Sequence, residues 1–281
     1  MYKLIDGKQI SNKVRQRLKL EVEELTKKGD KPGLAVIIVG NDNASKVYVR
    51  NKHRACEELG IYSEIYELPE ETTQKELLDV IDVLNQRVNI HGILVQLPLP
   101  KSIDENEVIK RILPKKDVDA FSEENVGKIM IGDYAYLPCT PAGIMTLLKE
   151  EGIDVSGKHC VVIGRSNIVG KPMAMLMLHS DATVTICHSK TKNLKEICKN
   201  ADILVAAVGK AKFITEDMIK ENAIVIDAGM NRDENNNLCG DVDFENVKEK
   251  TSYITPVPGG VGPMTITTLM QNTITAARKN L

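Results

Sequence analysis

The sequence predicts an α/β fold of two domains, each built on a parallel sheet. Two stretches of the chain alternate strand-like and helix-like patterns, and a charged segment at 114–140 without a sustained period separates them as a connector. The length of 281 residues suits two domains. We expect one domain at 1–139, completed by a C-terminal helix at 264–281, and the other at 140–263.

The first stretch predicts three helices and three strands. Its apolar run GLAVIIVG is typical of a strand covered on both faces, and Gly29 and Gly60 mark the ends of two helices. A Thr-x-x-Glu capping box at Thr73 opens the third helix. The predicted elements are a helix at 6–28, a strand at 33–40, a helix at 43–59, a strand at 62–68, a helix at 73–87 and a strand at 92–95.

The second stretch repeats this alternation. The predicted elements are a helix at 141–151, a strand at 158–164, a helix at 170–178, a strand at 183–187, a helix at 194–200, strands at 203–207 and 223–227, and a helix at 264–279. Because no strand follows the last helix, this helix can return to pack on the first domain.

Composition and charge exclude several classes of function. The formal net charge of −2 provides no basic stripe for nucleic acid or an anionic membrane, and no apolar run reaches the roughly 18 residues of a membrane span. The six cysteines are scattered and form neither a C-x-x-C pair nor a zinc-binding spacing, so we expect no metal site. They are most simply free thiols in a reducing cytoplasm.

The turn after the strand at 158–164 has the residue types of a phosphate-binding turn. Gly164 allows a tight turn, Ser166 is small, and the following helix directs unpaired N–H groups and a positive dipole toward an anion. The spacing departs from G-x-G-x-x-G, because Ser166 replaces the middle glycine and Gly170 comes one residue late. An ordinary strand-to-helix turn fits this segment equally well.

The end of the next strand favours NADP over NAD. Dinucleotide-binding enzymes that prefer NAD place an acid here for the ribose 2′-hydroxyl, whereas this chain has Ser189 and Lys190, with Arg165 directed to the same place. These groups would accept a 2′-phosphate that a carboxylate would repel. The second domain is therefore predicted to be a Rossmann-type dinucleotide-binding domain, with a cleft between it and the first, catalytic domain.

The helix at 43–59 and the strand at 92–95 predict a site in the first domain. Ser45, Tyr48 and Lys52 share one helix face, so an aromatic ring lies one turn from an ammonium. A solvated amphipathic face would explain this pattern equally, but Gln96 directly follows a buried strand, at the sheet edge where α/β proteins bind ligands.

Two acids follow at the exit from the first domain. In an extended segment Asp117 and Asp119 would point the same way. An acid of a turn or helix cap is the alternative.

Six blocks of sequence together carry a family resemblance that covers almost the whole chain. The chain resembles the bifunctional methylenetetrahydrofolate dehydrogenase/methenyltetrahydrofolate cyclohydrolase family in the blocks VGNDNASKVYVRNKHRAC (39–56), GILVQLPLP (92–100), KDVD (116–119), PCTPAG (138–143), GRSNIVGKP (164–172) and PVPGGVGPMT (256–265).

The resemblance implies that 5,10-methylenetetrahydrofolate gives a hydride to NADP and that water then opens the methenyl ring to 10-formyltetrahydrofolate. The family's proton-shuttling lysine falls on Lys52, its folate-stacking aromatic on Tyr48, and its pterin-binding acid on Asp119. An unperturbed lysine has a pKa of about 10.4. Desolvation beside a neutral partner such as Gln96 would lower the pKa of Lys52 enough for it to act as a base.

The resemblance also implies the remaining site residues and a homodimer through the cofactor domains, and the cysteine pattern favours the cytoplasm. The catalytic set is Lys52, Gln96, Tyr48 and Asp119. The folate-binding set is Ser45, Tyr48, Gln96, Leu97, Asp119, Pro258, Gly259 and Gly260, the last three in a loop expected to close over both ligands. The NADP-binding set is Gly164, Arg165, Ser166, Ile168, Ser189, Gly209 and Met230. The chain departs from the family at Ala120, usually Gly, at Ser122, usually His, and at Ala228, usually Val.

Two other functions compete with this one. An NADP dehydrogenase acting on another small substrate would produce no methenyl product. A non-catalytic dinucleotide sensor would bind NADP without turnover and would leave the grouping of Tyr48, Lys52 and Gln96 unexplained.

Overall fold

The computed structural model describes residues 2–279. Its first elements are β1 (Lys3–Leu4), α1 (Gly7–Lys27), β2 (Gly33–Val39), α2 (Asn43–Leu59), β3 (Tyr62–Leu68), α3 (Gln74–Gln86), β4 (Gly92–Val95), α4 (Glu105–Arg111) and α5 (Glu123–Ile131). The chain continues with α6 (Cys139–Glu150), β5 (His159–Ile163), α7 (Gly170–His179), β6 (Thr183–Cys187), α8 (Leu194–Cys198), β7 (Ile203–Ala206), β8 (Ala223–Asp227), β9 (Asn231–Arg232), β10 (Leu238–Cys239), α9 (Phe244–Val247), β11 (Thr251–Ile254) and α10 (Val261–Lys279).

The described residues divide into two compact units. Unit A contains those in the ranges 13–137 and 266–281, and unit B contains those in the ranges 1–12 and 138–265. Two of the three divisions fall within α1 and α10, and the third falls at 137/138, just before α6. The predicted two-domain α/β fold is confirmed.

Unit A is built on a parallel sheet with the order β3-β2-β4. The chain passes from β2 to β3 on one side and then to β4 on the other, so the strand order reverses between β2 and β4. In open α/β sheets, ligands bind outside the carboxyl ends of the strands at such a reversal. Strand β2 is buried along its whole length, as its continuous apolar run predicts, and α3 packs on the sheet through Leu77, Ile81 and Leu84.

Unit B has, among the described residues, a parallel sheet of six strands in the order β1-β11-β8-β7-β5-β6. Here the order reverses at β5, which lies between β6 and β7. The carboxyl ends of β5 and β7 are therefore the expected ligand edge. A separate core of valine, isoleucine, leucine and alanine side chains packs around this sheet.

The predicted connector at 114–140 includes the division between the units at 137/138, but it also contains a helix that the sequence did not predict. A short 3-10 turn at Pro114–Lys116 precedes α5, and α5 is capped by Ser122 at its start and by Gly132, in the left-handed conformation, at its end. The helix is nine residues long and contains Gly127, so its apolar period was too short to recognise.

The sequence also missed several short elements, namely β1, α4, β9, β10, α9 and β11, and α10 begins at Val261 rather than Met264. Strands β1, β9 and β10 have two residues each, which is too short for a period-two pattern. None of the helices in the described part of the chain combines the length and apolar content that a bilayer span requires.

Ala120 has a left-handed backbone, with φ of 58°, and its side chain is fully buried. This conformation costs an L-residue roughly 1–2 kcal/mol. We expect Ala120→Gly to leave the free energy of unfolding within about 1 kcal/mol of wild type, because relief of this strain offsets the loss of a buried methyl group, worth about 0.8 kcal/mol. Chemical denaturation measures the difference.

Ala55→Gly is the matched control, since Ala55 is equally buried but lies within α2. There the glycine loses both the methyl group and helix propensity, so stability should fall by about 2 kcal/mol. Equal losses in the two variants would contradict the strain at Ala120.

Candidate active site

Helix α2 carries three of the predicted site residues on one face. It begins at the N-cap Asp42, which accepts a hydrogen bond from the backbone N–H of Ser45 at 2.7 Å. Ser45 is buried, and Tyr48 and Lys52 are half-buried. Burial raises the pKa of the Tyr48 hydroxyl, so the ring is neutral and suited to stacking on a flat ligand.

Lys52 is hydrogen-bonded to Gln96, as the sequence led us to expect. The Lys52 Nζ donates to Gln96 Oε1 at 2.9 Å. Gln96 follows β4 directly, its backbone N–H donates to Ile37 of β2, and its side-chain Nε2 donates to the carbonyl of Leu97 at 2.7 Å. The last bond turns the amide so that its oxygen faces the amine. The structure thus places a neutral acceptor beside Lys52 at the strand-order reversal of unit A.

The segment that carries Asp119 lies beside β4, where Asp117 forms a parallel bridge with Ile93. The expectation of an extended segment is wrong, because the 3-10 turn leads into a further turn at Val118 and Asp119. Asp119 is half-buried, whereas Asp117 is 3% exposed and accepts hydrogen bonds within the fold. Asp117 therefore has a structural role.

Two asparagines hold this segment, and the sequence analysis singled out neither of them. Asn272 of α10 donates to the carbonyls of Val118 and Leu137 at 2.7 and 2.8 Å. Asn125 of α5 donates to the carboxylate of Asp117 at 2.9 Å. The acceptors of Asn272 are more than 130 residues away, and Asp117 lies eight residues before Asn125, beyond the spacing of a cap or turn motif.

The turn between β5 and α7 has the close approach expected of a dinucleotide-binding turn. Gly164 has φ of 131°, and a Cβ there would lie 2.2 Å from the carbonyl oxygen of Ala207. A Cβ at Gly170 would lie 2.2 Å from the Gly164 oxygen. The last glycine of the G-x-G-x-x-G motif allows the helix to pack closely on the strand. Gly170 meets this steric requirement, although it comes one residue late.

Ser166 changes one expectation about this turn. Its Oγ accepts hydrogen bonds from the N–H groups of Val169 and Gly170, at 3.1 and 3.3 Å. The prediction that the first N–H groups of the helix are unpaired is wrong for these two residues, because the serine caps them. Arg165, Ser166 and Ile168 are exposed.

The other predicted cofactor residues lie at the same sheet edge. Ser189 follows β6 in a turn closed by a hydrogen bond from the His188 N–H to Thr191 Oγ1, and it is exposed. Gly209 follows β7 with φ of 68°, and Met230 follows β8 and is exposed. Because β6, β5, β7 and β8 are neighbours in that order, the structure brings the whole predicted set together at the carboxyl ends of four strands.

The glycine-rich loop before α10 belongs to unit B, whereas Lys52, Gln96 and Asp119 belong to unit A. The carbonyl of Gly259 accepts a hydrogen bond from the backbone N–H of Lys8, and Gly260 is buried against Gly7. Pro258 is exposed. Among the described residues, no group of three or more His, Cys, Asp or Glu side chains is arranged to hold a metal ion.

Comparison of the sequence with family models assigns both parts of the chain. The model described as the tetrahydrofolate dehydrogenase/cyclohydrolase catalytic domain matches residues 5–119, and that of the NAD(P)-binding domain of the same family matches residues 138–281. The chain belongs to the tetrahydrofolate dehydrogenase/cyclohydrolase family. The resemblance in the six sequence blocks is confirmed.

Relatives of this family match along the whole chain. The bifunctional protein FolD of Lachnoclostridium phytofermentans is 61% identical over 279 residues, which are 99% of each chain. The crystal structure of the bifunctional FolD methylenetetrahydrofolate dehydrogenase/cyclohydrolase of Campylobacter jejuni is 49% identical, with a TM-score of 0.98 and 100% of both chains covered. The Trypanosoma brucei enzyme, complexed with NADP and an inhibitor, is 38% identical, with a TM-score of 0.95 over 99% of this chain and 98% of that one.

Proposed function

We propose that this protein oxidises 5,10-methylenetetrahydrofolate to the methenyl form with NADP, and then hydrolyses the methenyl form to 10-formyltetrahydrofolate. Membership of the tetrahydrofolate dehydrogenase/cyclohydrolase family supports this activity. The observation that carries the assignment to particular residues is the hydrogen bond between Lys52 and Gln96 at the ligand edge of unit A.

The two reactions make different demands on the protein. The nitrogens of the reduced folate assist departure of the hydride, so the first reaction requires mainly that substrate and cofactor be held in contact. Hydrolysis requires removal of a proton from water and delivery of a proton to the opening ring. Lys52 is the residue proposed to move these protons.

Gln96 suits this role because its amide is neutral. A carboxylate at the same place would attract the ammonium and hold Lys52 in its charged form. The amide oxygen instead positions the amine without an opposing charge, and the bond from Nε2 to the Leu97 carbonyl fixes which end of the amide faces Lys52. This geometry suits Lys52 to the proton transfers that hydrolysis requires.

The other residues of unit A are proposed to hold the folate. Tyr48 lies one helical turn before Lys52, so a pterin stacked on its ring would lie within reach of the amine. Asp119 would accept hydrogen bonds from the pterin N–H donors, and Ser45 and Leu97 border the same edge. Pro258, Gly259 and Gly260 remain folate contacts predicted from the family resemblance.

The carboxyl edge of the unit B sheet fits NADP. Ser166 already accepts two hydrogen bonds, so its own hydroxyl hydrogen is the group that would be given to a phosphate oxygen. Arg165, Ser189 and Lys190 are exposed at adjacent strand ends, where they would bind the 2′-phosphate. Ile168, Gly209 and Met230 would border the remainder of the dinucleotide. NADP supplies the acceptor for the hydride.

One coupled assay tests the proposed function. Methenyl absorbance is followed after methylenetetrahydrofolate is mixed with the protein and either NADP or NAD. We expect absorbance to rise with NADP and then to decay as the ring opens, with a much slower rise with NAD. No rise with either cofactor would contradict the dehydrogenase, and a rise without decay beyond the uncatalysed rate would contradict the cyclohydrolase.

We further propose that the protein is a cytoplasmic homodimer in which unit A is the folate domain and unit B is the NADP domain. The predicted folate domain at 1–139 therefore loses residues 1–12 to unit B, because β1 pairs with β11. Five of the six cysteines are buried, and none forms a C-x-x-C pair, which suits a reducing compartment. The formal net charge of −2 favours neither nucleic acid nor an anionic membrane as a partner.

A further inference from the structure

Two buried carboxylates accept hydrogen bonds from the loops that follow β7 and β8 in unit B. Asp227 is the last residue of β8 and is 3% exposed, and Asp241 is 0% exposed. Neither belongs to the predicted site. Buried carboxylates are uncommon because desolvation is costly, so the partners of these two require an explanation.

The Asp241 carboxylate accepts hydrogen bonds from four amide N–H groups. Its Oδ2 accepts from the backbone N–H groups of Val208 and Gly209 at 2.6 and 3.1 Å, and its Oδ1 accepts from the N–H of Lys210 and the side-chain amide of Asn231, both at 2.9 Å. Three consecutive N–H groups directed at one anion form a concave backbone nest. The conformation of this turn therefore depends on the Asp241 carboxylate.

Asp227 anchors the segment that carries Asp241. It accepts hydrogen bonds from the N–H groups of Gly229, Asp241 and Val242, each at 2.9 Å, and its own N–H donates to Thr255 Oγ1 at 2.7 Å. Burial raises the pKa of the Asp227 carboxyl to about 6, and the amide hydrogen bonds oppose this shift. The two carboxylates thus form one network through the backbone N–H of Asp241.

Two glycines make room for this network. A Cβ at Gly229 would lie 2.3 Å from Asp241 Oδ1, and a Cβ at Gly240 would lie 1.9 Å from Asp227 Oδ2. A side chain at either position would displace a carboxylate. The network is therefore specified jointly by two acids and by two residues without side chains.

We propose that Asp241 is a positioning residue for NADP. It fixes the turn at 208–210, which contains Gly209, and it holds Asn231, the neighbour of Met230. Both predicted cofactor residues lie at the carboxyl ends of adjacent strands, and β7 is one of the two strands at the reversal of strand order. This inference rests on the proposed function of unit B.

Asp241→Asn tests the proposal. The asparagine has a single acceptor oxygen and turns an NH2 group toward backbone donors, so the turn should lose its fixed conformation. We expect the Kd for NADP and the KM for NADP to rise at least tenfold, while kcat at saturating NADP changes less than threefold. Cyclohydrolase activity on the methenyl substrate, measured without NADP, should stay within twofold of wild type.

Asp243→Asn is the matched control, since Asp243 lies two residues along and its carboxylate bonds to Asn246. It should leave the Kd for NADP unchanged. An unchanged Kd in a folded Asp241→Asn variant would overturn the proposal, as would a parallel loss of both activities.

If Asp241→Asn does not fold, Asn231→Ala tests the proposal instead, because it removes one of the four donors to Asp241. A rise of about threefold in the Kd for NADP supports the proposal, and an unchanged Kd overturns it. A wild-type protein that binds no NADP would contradict the proposed function itself, which distinguishes the two failures.

Discussion

Lys52→Met is expected to abolish cyclohydrolase activity while dehydrogenase activity stays measurable. Methionine keeps the length and apolar stem of the side chain but removes the amine that bonds to Gln96. Positioned general acid–base groups contribute about 10²–10⁴-fold to rate, so the hydrolysis rate should fall by at least about 100-fold. Methylenetetrahydrofolate and NADP should then give a methenyl product that accumulates.

Lys46→Met provides the control for Lys52→Met. Lys46 lies on the same helix, where its Nζ donates to Asn41 Oδ1 near the surface. Both activities of this variant should stay within about twofold of wild type. Full retention of hydrolysis in Lys52→Met would refute the role of the amine, and loss of both activities to the same extent would make Lys52 a binding residue instead.

Ser189→Asp is expected to weaken the binding of NADP without weakening the binding of NAD. The new carboxylate would stand at the exposed turn after β6, where the ribose 2′-phosphate is proposed to bind. A repulsion of about 3 kcal/mol between close like charges corresponds to roughly a 100-fold rise in the KM for NADP. The KM for NAD should stay the same or fall, because a carboxylate can accept a hydrogen bond from the ribose 2′-hydroxyl.

Ser189→Asn separates charge from size, because asparagine has the shape of aspartate without its charge. Its KM for NADP should rise less than about fivefold. Cyclohydrolase activity without NADP should be unaffected in both variants. Equal increases in the KM for NADP and NAD would contradict the location of the 2′-phosphate at this turn.

The main strands and helices could be predicted because their patterns are local. Strand β2 is an unbroken apolar run, and the Thr73 capping box is present in the structure as predicted. The pairing of Lys52 with Gln96 could also be anticipated, because the family resemblance assigns the proton-shuttling lysine to Lys52 and Gln96 follows a buried strand as a neutral partner. Strands of two residues, such as β1 and β9, are too short to show a period.

The supporting network of unit B could not be predicted in the same way. The Asp241 carboxylate bonds to backbone amides that are 31 to 33 residues away. Every residue other than proline has a backbone N–H, so the residue types do not indicate which of these groups will bond to the carboxylate. The same holds for Asn272, which holds the carbonyl of Val118 across 154 positions.

Gln96→Glu tests most directly whether hydrolysis depends on an amine held by a neutral partner. The measurement is the ratio of cyclohydrolase to dehydrogenase activity at neutral pH, in the variant and in wild type. A glutamate at position 96 would hold Lys52 charged, so we expect the ratio to fall at least about 30-fold, within the range that acid–base groups contribute. A ratio equal to that of wild type would contradict this dependence.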